Sequence, residues 1–277
     1  MNFKLQNKIK NDSRLRNSFF HLAQKTFGLS FEQWYQNGYW TKSYVPYVLH
    51  DSEKVIANVS ANIIDTMWKG EKKRYIQLGT VMTDSAYRNR GCSRLLIEKI
   101  LSDWQENCNG IYLYANNTVL DFYPKFGFVR ATEYQCSQPI TQKSGNIQKL
   151  EMSTPDDREL LKEYYKKSNP YSALPLIDNI GLLMFYCSSF MKDCIYYLKE
   201  HDAVAIAIQE ETILTLIDVF CERTTADLTE IAAAIAQPGT KNVIYGFTPQ
   251  NTYNCMIKPI AEMDSSLFVL QGKENIF

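Results

Sequence analysis

The amino-acid sequence predicts an α/β protein with mixed sheets, arranged as two halves with a similar order of elements. Some segments alternate apolar and polar residues, others repeat apolar residues at helical spacing, and the order strand, helix, strand occurs in each half. Because a strand–helix–strand crossover is right-handed and joins parallel strands, each half should contain a parallel pair within a mixed sheet.

The N-terminal half begins with helices and continues into a sheet. Asp12 or Ser13 can accept the first free amide hydrogens of a helix, and apolar residues follow at helical spacing. Later segments alternate apolar and polar residues, as half-buried strands do. The predicted elements are helices at residues 13–27 and 31–39 and strands at 44–50, 55–65 and 74–83.

A crossover follows the last of these strands. A loop leads into a predicted helix at residues 92–107, a strand at 111–115 and a helix at about 118–125. The apolar residues of the first of these helices form one stripe, which is typical of a helix packed on a sheet. We therefore expect the strands around Val81 and Leu113 to pair in parallel.

A second half begins after a change in composition. Between about Gln138 and Pro155 the chain is rich in Gln, Ser and Thr. The order of elements then repeats: helices to about residue 191, strands at 194–198, 203–209, 212–220 and 242–247, and a helix at 225–236. We predict domains at residues 1–140 and 150–277, the second a degenerate copy of the first.

Composition excludes several classes of function. Lys+Arg 30 balances Asp+Glu 30, so no global positive field would attract a nucleic acid, and we expect no such partner. The seven cysteines lack C-x-x-C spacing, and His21, His50 and His201 lack metal-ligand spacing, so we expect no metal. We expect the cysteines to be free thiols.

The sequence also bears on location. The first residues hold no continuous apolar core of a secretory signal, and the longest apolar stretch, at 180–191, is too short to span a bilayer. We therefore expect a cytoplasmic protein without a membrane partner. The oligomeric state is left open by the sequence.

The most informative segment runs from Tyr87 to Leu96, between a predicted strand and a predicted helix. Chain entering a helix leaves amide hydrogens free and carries the positive end of the helix dipole. Gly91 allows close approach to the backbone, small Ser93 keeps the first turn open, and three arginines add positive charge. The segment predicts a pyrophosphate site; the alternative is an arginine-rich, solvated helix start.

Residues 40–135 resemble the GCN5-related N-acetyltransferase (GNAT) superfamily. The family pattern Gln/Arg-x-x-Gly-x-Gly/Ala is met by Arg88 and Gly91, with Ser93 in the last position. The later Phe-Tyr-x-Lys-x-Gly-Phe pattern is met in full at residues 122–128. Two departures are Ser93 itself and the segment 117–120, which lacks the family's Asn-x-x-Ala.

The resemblance implies a GNAT fold in the N-terminal half, a GNAT-like second half, and acetyl-CoA or a related acyl-CoA as the donor. Amides of residues 89–94 would hold the pyrophosphate, and residues 81–83 would run beside the pantetheine. The implied coenzyme-binding residues are Val81, Met82, Thr83, Arg88, Asn89, Arg90, Gly91, Cys92, Ser93, Arg94 and Asn117.

Tyr123 is the candidate general acid. Acyl transfer from a thioester needs a proton for the leaving thiolate, and a phenol with a pKa of about 10 is protonated at neutral pH. The family's Tyr at this position commonly has that role. The alternative is a Tyr packed beneath the helix, with its hydroxyl bonded to the backbone.

No general base is assigned. Asp65, Glu71 and Asp84 lie at strand ends and could act through water, but we expect them to be solvated turn residues. Cys92 could be a reactive thiol at a helix N-terminus; we favour an ordinary residue packing under the turn.

Two further expectations concern the acceptor and the second half. An aromatic cluster, formed by Phe31, Trp34, Tyr35, Tyr39 and Trp40, either encloses the acceptor or covers the sheet's own core. The second half has no Gly where its helix should begin, and Thr225 or Asp227 would cap that helix instead. We expect this half to bind no CoA.

The resemblance favours an enzyme that transfers an acetyl group from acetyl-CoA to a primary amine of a small molecule by direct attack in a ternary complex. A protein N-terminus or lysine is the alternative acceptor. A non-catalytic acyl-CoA-binding regulatory module is the alternative from another class.

Overall fold

Two mixed β-sheets form the framework of the protein, and the chain divides into two units. The computed structural model describes residues 3–143, 145–224, 226–251, 255–259 and 265–271. The first unit contains the described residues within Met1–Asp65, Lys73–Ala131 and Glu262–Phe277, and the second those within Thr66–Lys72 and Thr132–Ala261.

Strands and helices are mixed along the chain, as the sequence predicts, but the elements include further strands that the sequence does not predict. In the first part of the chain they are β1 (Lys4–Gln6), α1 (Ser13–Phe27), α2 (Glu32–Gln36), β2 (Tyr44–Asp51), β3 (Lys54–Trp68), β4 (Glu71–Thr83), α3 (Cys92–Trp104), β5 (Gly110–Asn116) and β6 (Val129–Arg130). They continue with β7 (Tyr134–Pro139), β8 (Ile147–Lys149), α4 (Pro155–Lys166), β9 (Leu176–Ile177), α5 (Ile180–Cys187), β10 (Ile195–Leu198), β11 (Ala203–Glu210), β12 (Ile213–Phe220), α6 (Leu228–Ile235), β13 (Asn242–Tyr245), β14 (Met256–Pro259) and β15 (Ser265–Gln271).

In the first sheet the strands β1, β2, β3, β4, β5, β15 and β6 lie side by side in that order. β4 and β5 pair in parallel, from Tyr75 opposite Gly110 to Leu78 opposite Leu113, which confirms the predicted crossover. α3 covers this pair with Leu96, Ile97 and Ile100, all fully buried in one core with residues of the sheet. Burial of these side chains is what holds α3 on the sheet.

The C-terminal strand β15 completes the first sheet. It runs antiparallel to β5, with Ser265 opposite Asn116 and Gln271 opposite Gly110, and it also pairs with β6. The units therefore differ from the predicted division at 1–140 and 150–277 in three places: β15 joins the first unit, and residues 66–72 and 132–140 join the second. The sequence analysis predicts neither β15 nor its partners, and strand pairing is decided by contacts distant in sequence.

The second sheet has the strand order β14, β7, β13, β12, β11, β10 and β8. β12 and β13 pair in parallel across α6, as β4 and β5 do across α3. Its core is formed by residues such as Leu216, Ile231 and Val243. This order is what a degenerate copy would show, and that relationship remains a prediction.

Two predicted helices are shorter than expected. The second helix covers only Glu32–Gln36. In place of a helix at 118–125 the chain makes two 3₁₀ turns, Asn117–Val119 and Tyr123–Phe126. Pro124 lacks an amide hydrogen and would break an α-helix at this point, which explains the second difference.

The prediction that all cysteines are free is wrong for two of them. Cys136 and Cys255 form a disulfide within the second unit, whereas Cys92, Cys108, Cys187, Cys194 and Cys221 are free. Within the described part of the chain, no helix has the length and apolar character needed to cross a bilayer.

Asp84 anchors the loop that leads from β4 into α3. Its carboxylate accepts a hydrogen bond from Ala86 N at 3.0 Å and lies 3.1 Å from Lys54 Nζ. The hydrogen bond from Ala86, with Lys54 beside it, lowers the pKa of the Asp84 carboxyl below its usual range. Because this pKa is depressed in the folded state, the charged carboxylate stabilises the fold above the unfolded pKa of about 3.9, and the stabilisation is lost as pH falls through the folded value.

We predict that Asp84→Asn lowers the melting temperature by several degrees at pH 7, since the charge on this side chain is lost. The difference from wild type should begin to shrink below about pH 4 and should vanish only below the depressed folded-state pKa, where the carboxyl is protonated in both the folded and the unfolded protein. Asp121→Asn, at an exposed carboxylate, is the matched control and should have little effect. Equal melting temperatures of Asp84→Asn and wild type at pH 7 would contradict the anchoring role.

Candidate functional site

A cavity of about 440 Å³ lies within the first unit, at the C-terminal end of β4 and the start of α3. Its lining comprises Thr26, Val81, Met82, Thr83, Tyr87, Arg88, Asn89, Gly91, Cys92, Ser93, Arg94, Val119, Phe122 and Tyr123. The cavity thus joins the end of a strand, the entry into a helix and the turn that carries Tyr123.

The structure brings together most of the residues predicted from sequence. All of the implied coenzyme-binding residues line this cavity except Arg90 and Asn117, and Tyr123 lines it too. The Arg90 guanidinium instead lies 5.4 Å from the centre of the Tyr87 ring. Sequence reasoning missed Thr26, Tyr87, Val119 and Phe122. Tyr87 and Phe122 lie within the two motif segments, 87–96 and 122–128, and could have been included. Thr26 and Val119 lie outside both motifs, so no sequence pattern marks them as site residues.

The cavity lies where β4 and β5 cease to pair. Their described residues form a ladder only as far as Leu78 and Leu113. β4 then bends at Thr80, whose φ of 50° is left-handed, and continues through Val81–Thr83 along the cavity. β5 is paired through Asn116 on its other edge by β15. Backbone groups of β4 beyond the bend are placed where a ligand with amide groups could bond to them.

The entry into α3 is shaped for an anion. Asn89 and Gly91 both have left-handed backbones, with φ of 60° and 76°, and Gly91 is the N-cap. No described side chain caps this helix, and its first turn holds no acidic residue. The first amide hydrogens are therefore left for a ligand, at the positive end of the helix dipole.

Side chains keep this entry in place. Thr83 Oγ1 and Ser93 Oγ are 3.0 Å apart and share a hydrogen bond between the end of β4 and the first turn of α3. Arg88 Nε donates to Thr83 O at 3.4 Å. Ser93, the departure from the family pattern, thus ties the first turn of α3 to the end of β4.

Cys92 packs beneath the turn. It is 5% exposed, its Sγ donates to Tyr87 O at 3.7 Å, and burial raises the pKa of its thiol. A raised pKa disfavours the thiolate, so the structure supports the packing interpretation over the reactive one.

Tyr123 lies under aromatic residues at one wall of the cavity. Its ring centre is 5.2 Å from that of Phe122, 6.2 Å from Phe128 and 6.0 Å from Phe268 on β15. Burial raises the pKa of its phenol to about 12. Its hydroxyl forms no hydrogen bond with any residue that the structure describes, so the alternative of a backbone-bonded hydroxyl does not hold. The packing fixes the ring while the hydroxyl remains available to a ligand.

The carboxylates considered as bases have other partners. Asp65 binds Arg74 through two hydrogen bonds, at 2.7 and 2.9 Å, and Asp84 is paired with Lys54. Both are buried rather than solvated, which corrects the expectation, and neither lines the cavity. Glu71, at the start of β4, is exposed and does not line it either.

The aromatic cluster of α1, α2 and the following loop is a packed core. Phe31, Trp34, Tyr39 and Trp40 are each less than 9% exposed, and Tyr35 is half-buried. Trp34 and Trp40 stack at 6.0 Å, and Phe31 lies 5.9 Å from Trp34. The cluster therefore covers the sheet, as the second of the two interpretations proposed.

The second unit lacks an equivalent anion site among its described residues. At the start of α6, Asp227 Oδ1 accepts hydrogen bonds from Thr229 N at 3.0 Å and from Thr229 Oγ1 at 3.1 Å. A carboxylate thus occupies the place that an anion would need, and Glu230 adds further negative charge in the first turn. Thr225, the other predicted cap, lies outside the described residues.

The part of the chain that contains this site matches a known protein family. Residues 13–128 match the acetyltransferase (GNAT) family. No curated protein shows significant sequence similarity to the chain.

Solved structures share the fold at low sequence identity. A conserved protein of unknown function from Enterococcus faecalis, described as a probable N-acyltransferase, has a TM-score of 0.65 at 14% identity, over 98% of this chain and 72% of its own. A GCN5-related N-acetyltransferase from Anabaena variabilis has a TM-score of 0.58 at 16% identity, over 97% and 72%. Eis1 from Mycobacterium abscessus has a TM-score of 0.57 at 12% identity, over 96% and 73%. The GNAT fold thus accounts for nearly the whole chain.

Proposed function

We propose that this protein, whose residues 13–128 match the acetyltransferase (GNAT) family, is an N-acetyltransferase that transfers an acetyl group from acetyl-CoA to a primary amine of a small molecule. The observation that carries the proposal is the single cavity shared by the uncapped start of α3 and Tyr123. One end of this cavity suits a pyrophosphate, and the other holds a proton donor.

The residues present fit acetyl-CoA. The amides at the start of α3 and the side chains of Arg88 and Arg94 would hold the pyrophosphate by charge-assisted hydrogen bonds. The backbone at Val81–Thr83 would bond the amide groups of the pantetheine, because this part of β4 is unpaired with β5.

The reaction needs one proton to leave the amine and one to reach the thiolate. The neutral amine attacks the thioester carbonyl carbon, the carbon–sulfur bond breaks, and the amine nitrogen loses a proton to solvent. Tyr123 donates its phenol hydrogen toward the sulfur as negative charge develops there. Burial raises the pKa of Tyr123 to about 12, so the phenol is protonated at neutral pH, and burial of the leaving thiolate would favour its protonation in the same way.

We predict that Tyr123→Phe lowers kcat by about 10²–10⁴-fold and leaves the Kd for acetyl-CoA nearly unchanged, since only the proton donor is lost. Release of free thiol with a panel of small amines and calorimetry would measure the two quantities. Tyr134→Phe, at an exposed residue of the second unit, is the control. Full turnover by Tyr123→Phe would remove Tyr123 from the mechanism.

The same assay separates the alternatives. Transfer to peptide N-termini or lysines, but to no small amine, would favour a protein acetyltransferase. Tight binding of acetyl-CoA without transfer to any amine or peptide would favour a non-catalytic module.

We also predict that Gly91→Ala raises the Kd for CoA about tenfold. Gly91 and Gly239 both have left-handed backbones, with φ of 76° and 92°, and neither has a heavy atom within 4 Å of an added Cβ. Alanine at either position therefore meets a similar backbone strain of about 1–2 kcal/mol, but only Gly91 lies in the cavity. Gly239→Ala should match the loss of melting temperature and keep the affinity. An equal change in affinity for both variants would argue against coenzyme binding at α3.

A further inference from the structure

The bend of β4 at Thr80 is maintained at a cost to stability. Thr80 has a φ of 50°, a left-handed conformation that is strained for a residue with a Cβ. It is half-buried and immediately precedes Val81, the first residue of β4 that lines the cavity. A strained backbone beside a proposed reaction site is a reason to ask what the side chain does there.

A chain of hydrogen bonds leads to the Thr80 hydroxyl. Asn58 Nδ2 donates to Ser60 Oγ at 3.0 Å and to Thr80 O at 2.8 Å. Ser60 Oγ donates to Tyr44 OH at 2.9 Å, and Tyr44 OH lies 3.3 Å from Thr80 Oγ1. These hydrogen bonds thus connect β3 and β2 to the bend of β4.

The chemistry of the donors fixes the direction of this chain. An amide nitrogen can only donate, so Ser60 Oγ accepts from Asn58 and gives its own hydrogen to Tyr44. Tyr44 then gives its single hydrogen to Thr80 Oγ1. The hydrogen of the Thr80 hydroxyl is therefore not used in this series of hydrogen bonds and is available to another acceptor.

The two ends of this series of hydrogen bonds differ in solvent exposure. Asn58 and Ser60 are fully buried, whereas Tyr44 and Thr80 are half-buried. Tyr44 is held by rings, with centres 5.5 Å from Trp34 and 5.6 Å from Trp40. Burial of the Tyr44 hydroxyl raises its pKa to about 12, so the phenol stays protonated and keeps donating.

A second cost falls at the same place. Asn58 Oδ1 is buried and has no hydrogen-bond partner among the described residues. An unpaired buried acceptor destabilises the folded state. An unpaired acceptor and a left-handed threonine around one bend indicate that its geometry is kept for something other than stability.

This series of hydrogen bonds lies on the face of the sheet opposite α3. Ala57, Val59 and Ala61 of β3 belong to the core that α3 covers. Asn58 and Ser60 alternate with them and therefore face the other side. The Thr80 hydroxyl, bonded to this chain, thus comes to the bend from the side away from the helix that would hold the pyrophosphate.

We propose that the Thr80 hydroxyl determines acceptor specificity by donating a hydrogen bond to a carbonyl or carboxylate oxygen that lies near the reacting amine. The acceptor class would then be amino acids, their amides or short peptides rather than plain alkylamines. This proposal rests on the proposed transferase function.

The test compares two amines of similar length, β-alaninamide, which carries the oxygen, and n-butylamine, which does not. Wild type should acetylate β-alaninamide with the higher kcat/KM. Thr80→Val keeps the branched shape but removes the hydroxyl, and should lower kcat/KM for β-alaninamide about tenfold, mainly through KM, with little change for n-butylamine. Thr80→Ser should retain the preference, and Tyr44→Phe, which removes the donor to Thr80, should weaken it in part.

Other outcomes overturn the proposal. An equal loss for both amines in kcat would mean that the hydroxyl acts on the thioester instead. No preference in wild type, or an unchanged preference in Thr80→Val, would each exclude the acceptor role. Calorimetry should also measure the binding of acetyl-CoA to every variant. If the proposed function itself is wrong, wild type will either bind no acetyl-CoA or transfer no acetyl group to any amine, which none of the outcomes above requires.

Discussion

The uncapped entry into α3 is the feature on which the site depends. Gly91 takes the N-cap position with a left-handed backbone and offers no side chain to the first amides. In an ordinary helix those amides would be satisfied by a capping side chain, as Asp12 does for α1. Glycine at an N-cap costs roughly a few tenths of a kcal/mol of helix stability relative to a capping side chain, and it leaves the first amides free for an anion.

Strand pairing supplies the second half of the site. β4 and β5 separate beyond Leu78 and Leu113, which opens the cavity, and such a separation leaves backbone groups without a ladder. β15 pairs with β5 along the other edge, and its Phe268 packs on the ring of Tyr123. The C-terminal strand therefore both completes the sheet and fixes the wall that presents the proposed acid.

The second unit shows the same strand–helix–strand order with the opposite chemistry. β12, α6 and β13 repeat the parallel crossover, but Asp227 caps the helix with its own carboxylate. A helix start cannot be both capped by an acid and open to a phosphate, because the two compete for the same amides. The difference between one aspartate and one glycine is thus enough to explain why, among the residues that the structure describes, the start of α3 is a candidate anion site and the start of α6 is not.

The sequence predicts the elements that local chemistry decides. The turn at Gly91, the cap at Asp12 and the parallel crossover follow from residue type and spacing, whereas the grouping of most site residues around the cavity follows from the resemblance to the GNAT family. The pairing of β15, the cystine between Cys136 and Cys255, and the contact of Phe268 with Tyr123 depend on residues distant in the chain, which no local pattern identifies. The bend at Thr80 is also hidden, because threonine is a common strand residue and a poor candidate for a left-handed backbone.

A calorimetric titration of the wild-type protein with CoA and, separately, with pantetheine tests the central claim most directly. Pantetheine retains the amide groups that would bond β4 and lacks the phosphates that would bond the start of α3. If the free amides of α3 bind a diphosphate, CoA should bind about 100-fold more tightly than pantetheine, since charge-assisted hydrogen bonds contribute about 1.5–3 kcal/mol each. Equal affinity for the two compounds, or no heat with CoA, would contradict the account.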